Sequence, residues 1–106
     1  MSRKAAAPLP VKVLDEADAD ISAAAGWYGE RSLKVADAFV EEVFSNLKLI
    51  GVFPNMAPRV RGLIRQLPLN GFPFVNLYRP FRDHVVVIRV FHCSQDPKKK
   101  FRKKRT

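Results

Sequence analysis

At 106 residues the chain has room for one domain with a single two-layer core, and too little for two. Hydrophobic residues at 47% and charged residues at 27% exclude a disordered chain, and a lone cysteine, Cys93, excludes an intrachain disulfide and fits a reducing compartment. A net charge of +9 points to partners that carry negative charge.

The cations are concentrated in one half. Residues 1–53 hold six Lys and Arg against eight Asp and Glu, whereas residues 54–106 hold thirteen against two. The opening MSRKAAAPLP lacks the apolar run of a signal peptide, and no stretch approaches the ~20 apolar residues of a membrane span. Residues 1–10 are therefore expected to be a flexible lead-in, and the protein to be cytoplasmic with no membrane partner.

Val11 to Leu14 alternates briefly and predicts a short strand, kept from starting earlier by Pro8 and Pro10. Asp15 or Asp18 is expected to cap a helix with Ala17, Ile21, Ala24 or Ala25, and Tyr28 on one face and Gly29 as its stop. The small residues on that face suit close approach by a neighbour, as in a helical hairpin. The second arm has a wider stripe of Ala36, Phe39, Val40, Val43, Leu47 and Ile50, with Phe39, Val43 and Leu47 as core and Gly51 as its end. Phe44 adjoins that stripe.

From Phe53 onward, prolines at 54, 58, 68, 73 and 80 divide the chain into short runs of strand character. Three strands are expected, Arg61 to Leu67, Phe74 to Arg79 and His84 to His92. Turns at Asn70-Gly71 and Arg82-Asp83 should pair neighbours antiparallel. The fold class is thus α+β: a short N-terminal strand, a two-helix antiparallel hairpin, then a three-stranded meander in one sheet. The last strand is apolar on both faces and should lie inside the sheet. Two helices cover one sheet face, leaving the other partly apolar and open to a partner.

Before the tail, every cation of the sheet region is arginine: Arg59, Arg61, Arg65, Arg79, Arg82 and Arg89. Guanidinium suits bidentate contact with carboxylate or phosphate, so anion recognition competes with a plain solvated face. By strand parity Arg61 and Arg65 share a face, while Arg89 and His92 lie on opposite faces unless a bulge intervenes. A structural His92, bonded to backbone near Asp96, is favoured over a catalytic one. The tail KKKFRKKRT, residues 98–106, carries seven cations and suits polyanions. No glycine-rich phosphate loop, Cys/His metal set or Ser/His/Asp order is present, so neither cofactor nor metal is expected.

The segments DADISAAAGWYGERS, ADAFVEEVFSNLKLIGVFPN, RGLIRQLPLNGFPFVNLYR and HVVVIRVFHCSQDP together resemble the RelE/ParE superfamily of bacterial type II toxins, more closely ParE than RelE, over residues 11–97. The resemblance implies a helical hairpin on a twisted antiparallel sheet. It also implies a hetero-oligomer with a ParD-like antitoxin whose acidic C-terminal segment wraps the toxin, and DNA gyrase as a target bound without a catalytic centre. Partner contacts are then expected at Arg61, Arg65, Arg79 and Arg89 and in the tail at Lys98, Lys99, Lys100, Phe101 and Arg102. A RelE-like reading makes the chain a ribosome-dependent mRNA endonuclease, with Arg65, Arg89 and His92 as its catalytic set. A third reading, a basic nucleic-acid-binding module carried by its tail, lacks a stacking platform of aromatics.

Overall fold

The computed structural model describes residues 7–94. Residues 1–6 of the expected lead-in 1–10, and the basic tail with Lys98, Lys99, Lys100, Phe101 and Arg102, lie outside the described residues, whereas Leu9 and Pro10 are hydrogen-bonded to α2 and β5. Seven elements follow in order: β1 (Val11–Val13), α1 (Asp15–Gly29), α2 (Leu33–Val52), β2 (Arg59–Arg61), β3 (Ile64–Pro68), β4 (Phe74–Pro80) and β5 (Val85–His92). They form one five-stranded sheet in the order β1-β5-β4-β3-β2, with β1 parallel to β5 and the other neighbours antiparallel. The expected α+β class and element order hold, and β5 is interior as its two apolar faces required.

One expected strand is in fact two. The run from Arg61 to Leu67 turns at Gly62, whose φ of 56° places it in the left-handed region that glycine adopts without steric penalty. A short β2–β3 hairpin results, and it changes which arginines meet.

No carboxylate caps α1. The helix starts directly after Leu14, which has no side-chain cap, and Asp15, Glu16 and Asp18 instead lie in the first turn, where they oppose the positive end of the helix dipole. Ala17 and Ala24 are buried, so the small-residue face is the packed one. In α2 the cap is Ser32, whose Oγ accepts the Val35 N–H at 3.2 Å. Phe39, Val43 and Ile50 are buried along the expected stripe, whereas Leu47 is half-buried.

Gly51 lies inside α2, which runs on to Val52. A Cβ at Gly51 would sit 2.9 Å from the Leu9 carbonyl oxygen and 3.3 Å from Val11 Cγ2, and the Leu9 N–H donates to the Gly51 carbonyl at 2.9 Å. This glycine therefore admits the segment leading into β1 rather than ending a helix.

Two polar devices join the layers. Asn46 is buried on α2; its Nδ2 donates to the Pro68 carbonyl at 3.2 Å and its Oδ1 accepts from Asn76 Nδ2 of β4 at 2.7 Å. Tyr78, fully buried on β4, donates its hydroxyl to the Pro54 carbonyl at 2.9 Å. Burial holds this phenol above its usual pKa, opposed by the backbone at Ala57 and by Arg65. Arg65 Nη1 donates to the Asn55 and Ala57 carbonyls at 3.2 and 2.6 Å, so the proline-rich link after α2 is pinned from the sheet.

The second sheet face is not the open apolar flank expected from the sequence. Val75, Leu77 and Phe91 are buried there in a cluster of their own with Ile64 packed against it. The Arg89 guanidinium lies 4.4 Å over the Phe91 ring. Exposed apolar residues gather instead on the outside of α2 and just beyond it, at Phe44, Leu49, Val52 and Phe53.

Gly51→Ala is expected to cost about 1–3 kcal/mol because neither the Leu9 backbone nor Val11 has room to yield. Gly26→Ala, whose Cβ meets nothing within 4 Å in the last turn of α1, should instead stabilise by up to about 1 kcal/mol. Thermal melts of the two variants check the contrast, and equal midpoints would contradict it.

Candidate functional site

The far end of β5 is built around one carboxylate. β1 ends opposite Val87, and the Leu14 N–H closes the pairing on the Val87 carbonyl at 3.1 Å. Beyond that point the strand edge meets α1. Asp20 Oδ2 accepts the Val90 N–H at 2.9 Å and Arg89 Nε at 2.7 Å, and Oδ1 accepts Arg89 Nη2 at 2.9 Å. This bidentate pair is mostly shielded, with 31% of the Arg89 and 17% of the Asp20 side chain accessible. The Asp20 hydrogen bond holds Arg89 above its usual pKa against the opposing effect of burial. Arg89, expected to face a partner, is therefore occupied internally.

His92 ends the same strand on the other face. A bulge leaves Ile88 without a partner: Tyr78 pairs with Val87 and Leu77 with Arg89. Because it precedes Arg89, it does not bring Arg89 and His92 together, and His92 pairs with Phe74, three residues from the partner of Arg89. His92 Nδ1 accepts the Ser94 N–H at 3.0 Å and lies 2.7 Å from the Ser94 hydroxyl, while its ring meets Phe74 edge-on at 5.1 Å. Within the described residues His92 bonds Ser94, and the Asp96 named from the sequence lies outside them. His92 and Asp20 line a cleft of about 620 Å³ with Trp27, Tyr28 and Phe74.

Arg61 and Arg65 do not share a face. The hairpin at Gly62 sets Arg61 against Ile64 and Arg59 against Arg65. Arg65 and Arg79 do converge, lining with Arg59 and Arg82 a cleft of about 390 Å³ between the link after α2 and the β4–β5 turn. Arg59 and Arg82 are thus site residues that a strand-parity argument misses, although the use of arginine alone among the cations of the sheet region was their signal. Asp20 gave no such signal, since its partners lie 69 and 70 residues away.

A third concavity, about 770 Å³, runs along the outer side of α2 between Pro8, Leu9 and Val11 and the side chains of Phe44, Lys48 and Val52. Among the described residues no cluster of His, Cys, Asp and Glu could hold a metal ion, and no helix is long and apolar enough to cross a membrane.

Comparison with known proteins gives a consistent outcome. The family model described as the ParE toxin of the type II toxin–antitoxin system parDE matches residues 11–97. The chain is similar in structure to one from the chromosomal ParDE toxin–antitoxin system of Pseudomonas aeruginosa, with a TM-score of 0.70 and 22% identity over 79% of this chain and 95% of the other. It is similar at a TM-score of 0.51 and 21% identity to a chain of the RelBE2 toxin–antitoxin complex of Mycobacterium tuberculosis, over 80% of this chain and 91% of that one. No curated protein matches in sequence.

Asp20→Ala should destabilise the domain by about 2 kcal/mol, since it strips three hydrogen bonds from one carboxylate and leaves a partly shielded guanidinium unpaired. For a domain of this size that is a fall of about 10 °C in melting temperature. Asp20→Asn, which keeps an acceptor for the Val90 N–H, should fall by less.

Proposed function

The chain belongs to the ParE toxin family of type II toxin–antitoxin systems, and from that premise we propose that it acts by binding: it inhibits DNA gyrase and is neutralised by a cognate antitoxin. The observation that carries this reading is the dispersal of the three side chains an RNA-cleaving mechanism would need. Such a mechanism brings an acid or base and charge-stabilising donors within hydrogen-bond reach of one phosphodiester. Here Arg89 is clamped by Asp20, Arg65 bonds two backbone carbonyls, and His92 bonds Ser94 on the face of β5 away from Arg89. Each holds structure where it stands.

The antitoxin contact is supported by the apolar groove beside α2. Phe44 is 60% exposed and Val52 47%, with Lys48 between them in sequence and on the same groove. An amphipathic antitoxin segment would bury its apolar residues there and set acidic ones against the cation. Two solved relatives come from a ParDE system and a RelBE2 complex, which supports a partner of this kind.

Purified protein is expected to inhibit supercoiling by gyrase and to leave ribosome-bound messenger intact; messenger cleavage without an effect on gyrase would overturn the reading. His92→Gln should retain toxicity at an unchanged melting temperature. Phe44→Asp should keep gyrase inhibition while weakening antitoxin binding at least about tenfold, as loss of an anchor in a groove does. Antitoxin affinity measured at rising salt should also fall modestly.

A further inference from the structure

The cleft lined by Arg59, Arg65, Arg79 and Arg82 breaks a local rule of sheet construction. Arg59 and Arg65 are directly opposed in the β2–β3 ladder, where like charges destabilise. None of the four guanidiniums has a carboxylate partner among the described residues, whose side-chain ion pairs involve Arg31, His84 and Arg89. A cluster of uncompensated cations that a fold keeps at the expense of stability points to a ligand that neutralises it.

Two further observations give the cleft a direction. Arg65 Nε and Arg79 Nε are both buried without a hydrogen-bond acceptor, so two residues lining the cleft each carry an unsatisfied donor beneath its surface. Arg79 is also held in place: its guanidinium lies 4.3 Å over the Phe81 ring, whose other partner, the His84 ring, is stacked at 4.7 Å and 2°. His84 is fixed in turn by Asp83, 2.7 Å from its Nδ1. The tight turn closed by the Phe81 N–H on the His84 carbonyl thus serves as a rigid bracket for one cation.

We infer that this cleft binds backbone phosphates of a polynucleotide, without reading its sequence. Four guanidiniums around one concavity supply the forked donors that phosphate oxygens accept. Phe81 is engaged by Arg79 and His84, so the cleft presents charge and donors with no free platform on that ring for a base. A polynucleotide brings evenly spaced negative charges, which suits cations spread over β2, β3, β4 and the β4–β5 turn. The inference stands apart from the gyrase reading and survives its failure.

The test is fluorescence anisotropy of a short labelled DNA duplex with the full chain at several salt concentrations. The variant Arg59→Gln/Arg82→Gln removes two exposed cations of the cleft, and Lys12→Gln/Lys34→Gln removes two exposed cations elsewhere. The arginine pair should weaken binding at least about tenfold and lower the slope of log affinity against log salt by about two, whereas the lysine pair should change affinity less than about twofold. Its melting temperature should equal or exceed that of the parent, since a repulsion has been relieved, so lost binding is not lost folding. Equal effects of the two variants would overturn the inference, as would failure of the parent to bind. Displacement of the duplex by pyrophosphate or polyglutamate at matched charge would overturn it too, by assigning the cleft to a small phosphate or an acidic protein.

Discussion

The Asp20 carboxylate is the constraint on which the rest of this architecture depends. A parallel strand of three residues covers only the first half of β5, and a strand whose backbone donors face an uncovered edge invites pairing with foreign chains. Asp20 satisfies the Val90 N–H, holds Arg89 by two bonds, and so attaches the middle of α1 to the sheet. The helix that closes the edge is the one whose alanines allow it to lie close, with Ala17 fully buried at the contact. Small side chains and one carboxylate together do what a longer β1 would otherwise have to do.

The same arrangement explains the uneven charge. The acidic half of the chain is spent on helix dipole, edge closure and turn bonds: Asp15, Glu16 and Asp18 in the first turn of α1, Asp20 on β5, and Glu42 accepting the Asn70 N–H at 2.7 Å. Little acid is left for the basic half. Of the sheet arginines, Arg89 is compensated by Asp20, while Arg65 works as a hydrogen-bonding fork for the link after α2 and keeps its positive charge. Four arginines without a carboxylate partner among the described residues therefore gather between the β2–β3 hairpin and the β4–β5 turn.

What the sequence made legible follows from the range of the interaction that decides each feature. Helix faces were readable because period 3.6 in Phe39, Val43 and Ile50 is local, and the Arg82-Asp83 turn was readable because two residues of suitable type suffice to close it. Gly62 and Gly51 show the limit: glycine reports that a side chain is unwelcome, but not whether the reason is a positive φ or an incoming chain. The first splits a strand and reverses the faces of Arg61 and Arg65; the second admits Leu9 and Val11 in mid-helix. Asn46 and Asn76, a buried amide pair 30 residues apart, and Asp20 had no periodic signature at all. The expectation of an open sheet face failed for a related reason, since alternation shows which residues point away from the helices without showing that Val75, Leu77 and Phe91 would be buried.

Two surfaces of different chemistry emerge, and they share no residue. The groove on α2, with Phe44, Val52 and the Pro8–Val11 segment, is apolar with a single cation, and apolar burial is what gives a protein partner slow dissociation. The arginine cleft is polar, salt-sensitive and suited to rapid electrostatic capture. On the proposed reading, in which one macromolecule holds the toxin and another is its target, separating these demands is an advantage. Because the two surfaces have no lining residue in common, a partner seated in the groove beside Phe44 leaves the guanidiniums of the cleft unengaged. On the proposed reading, neutralisation therefore acts with the cationic site still formed.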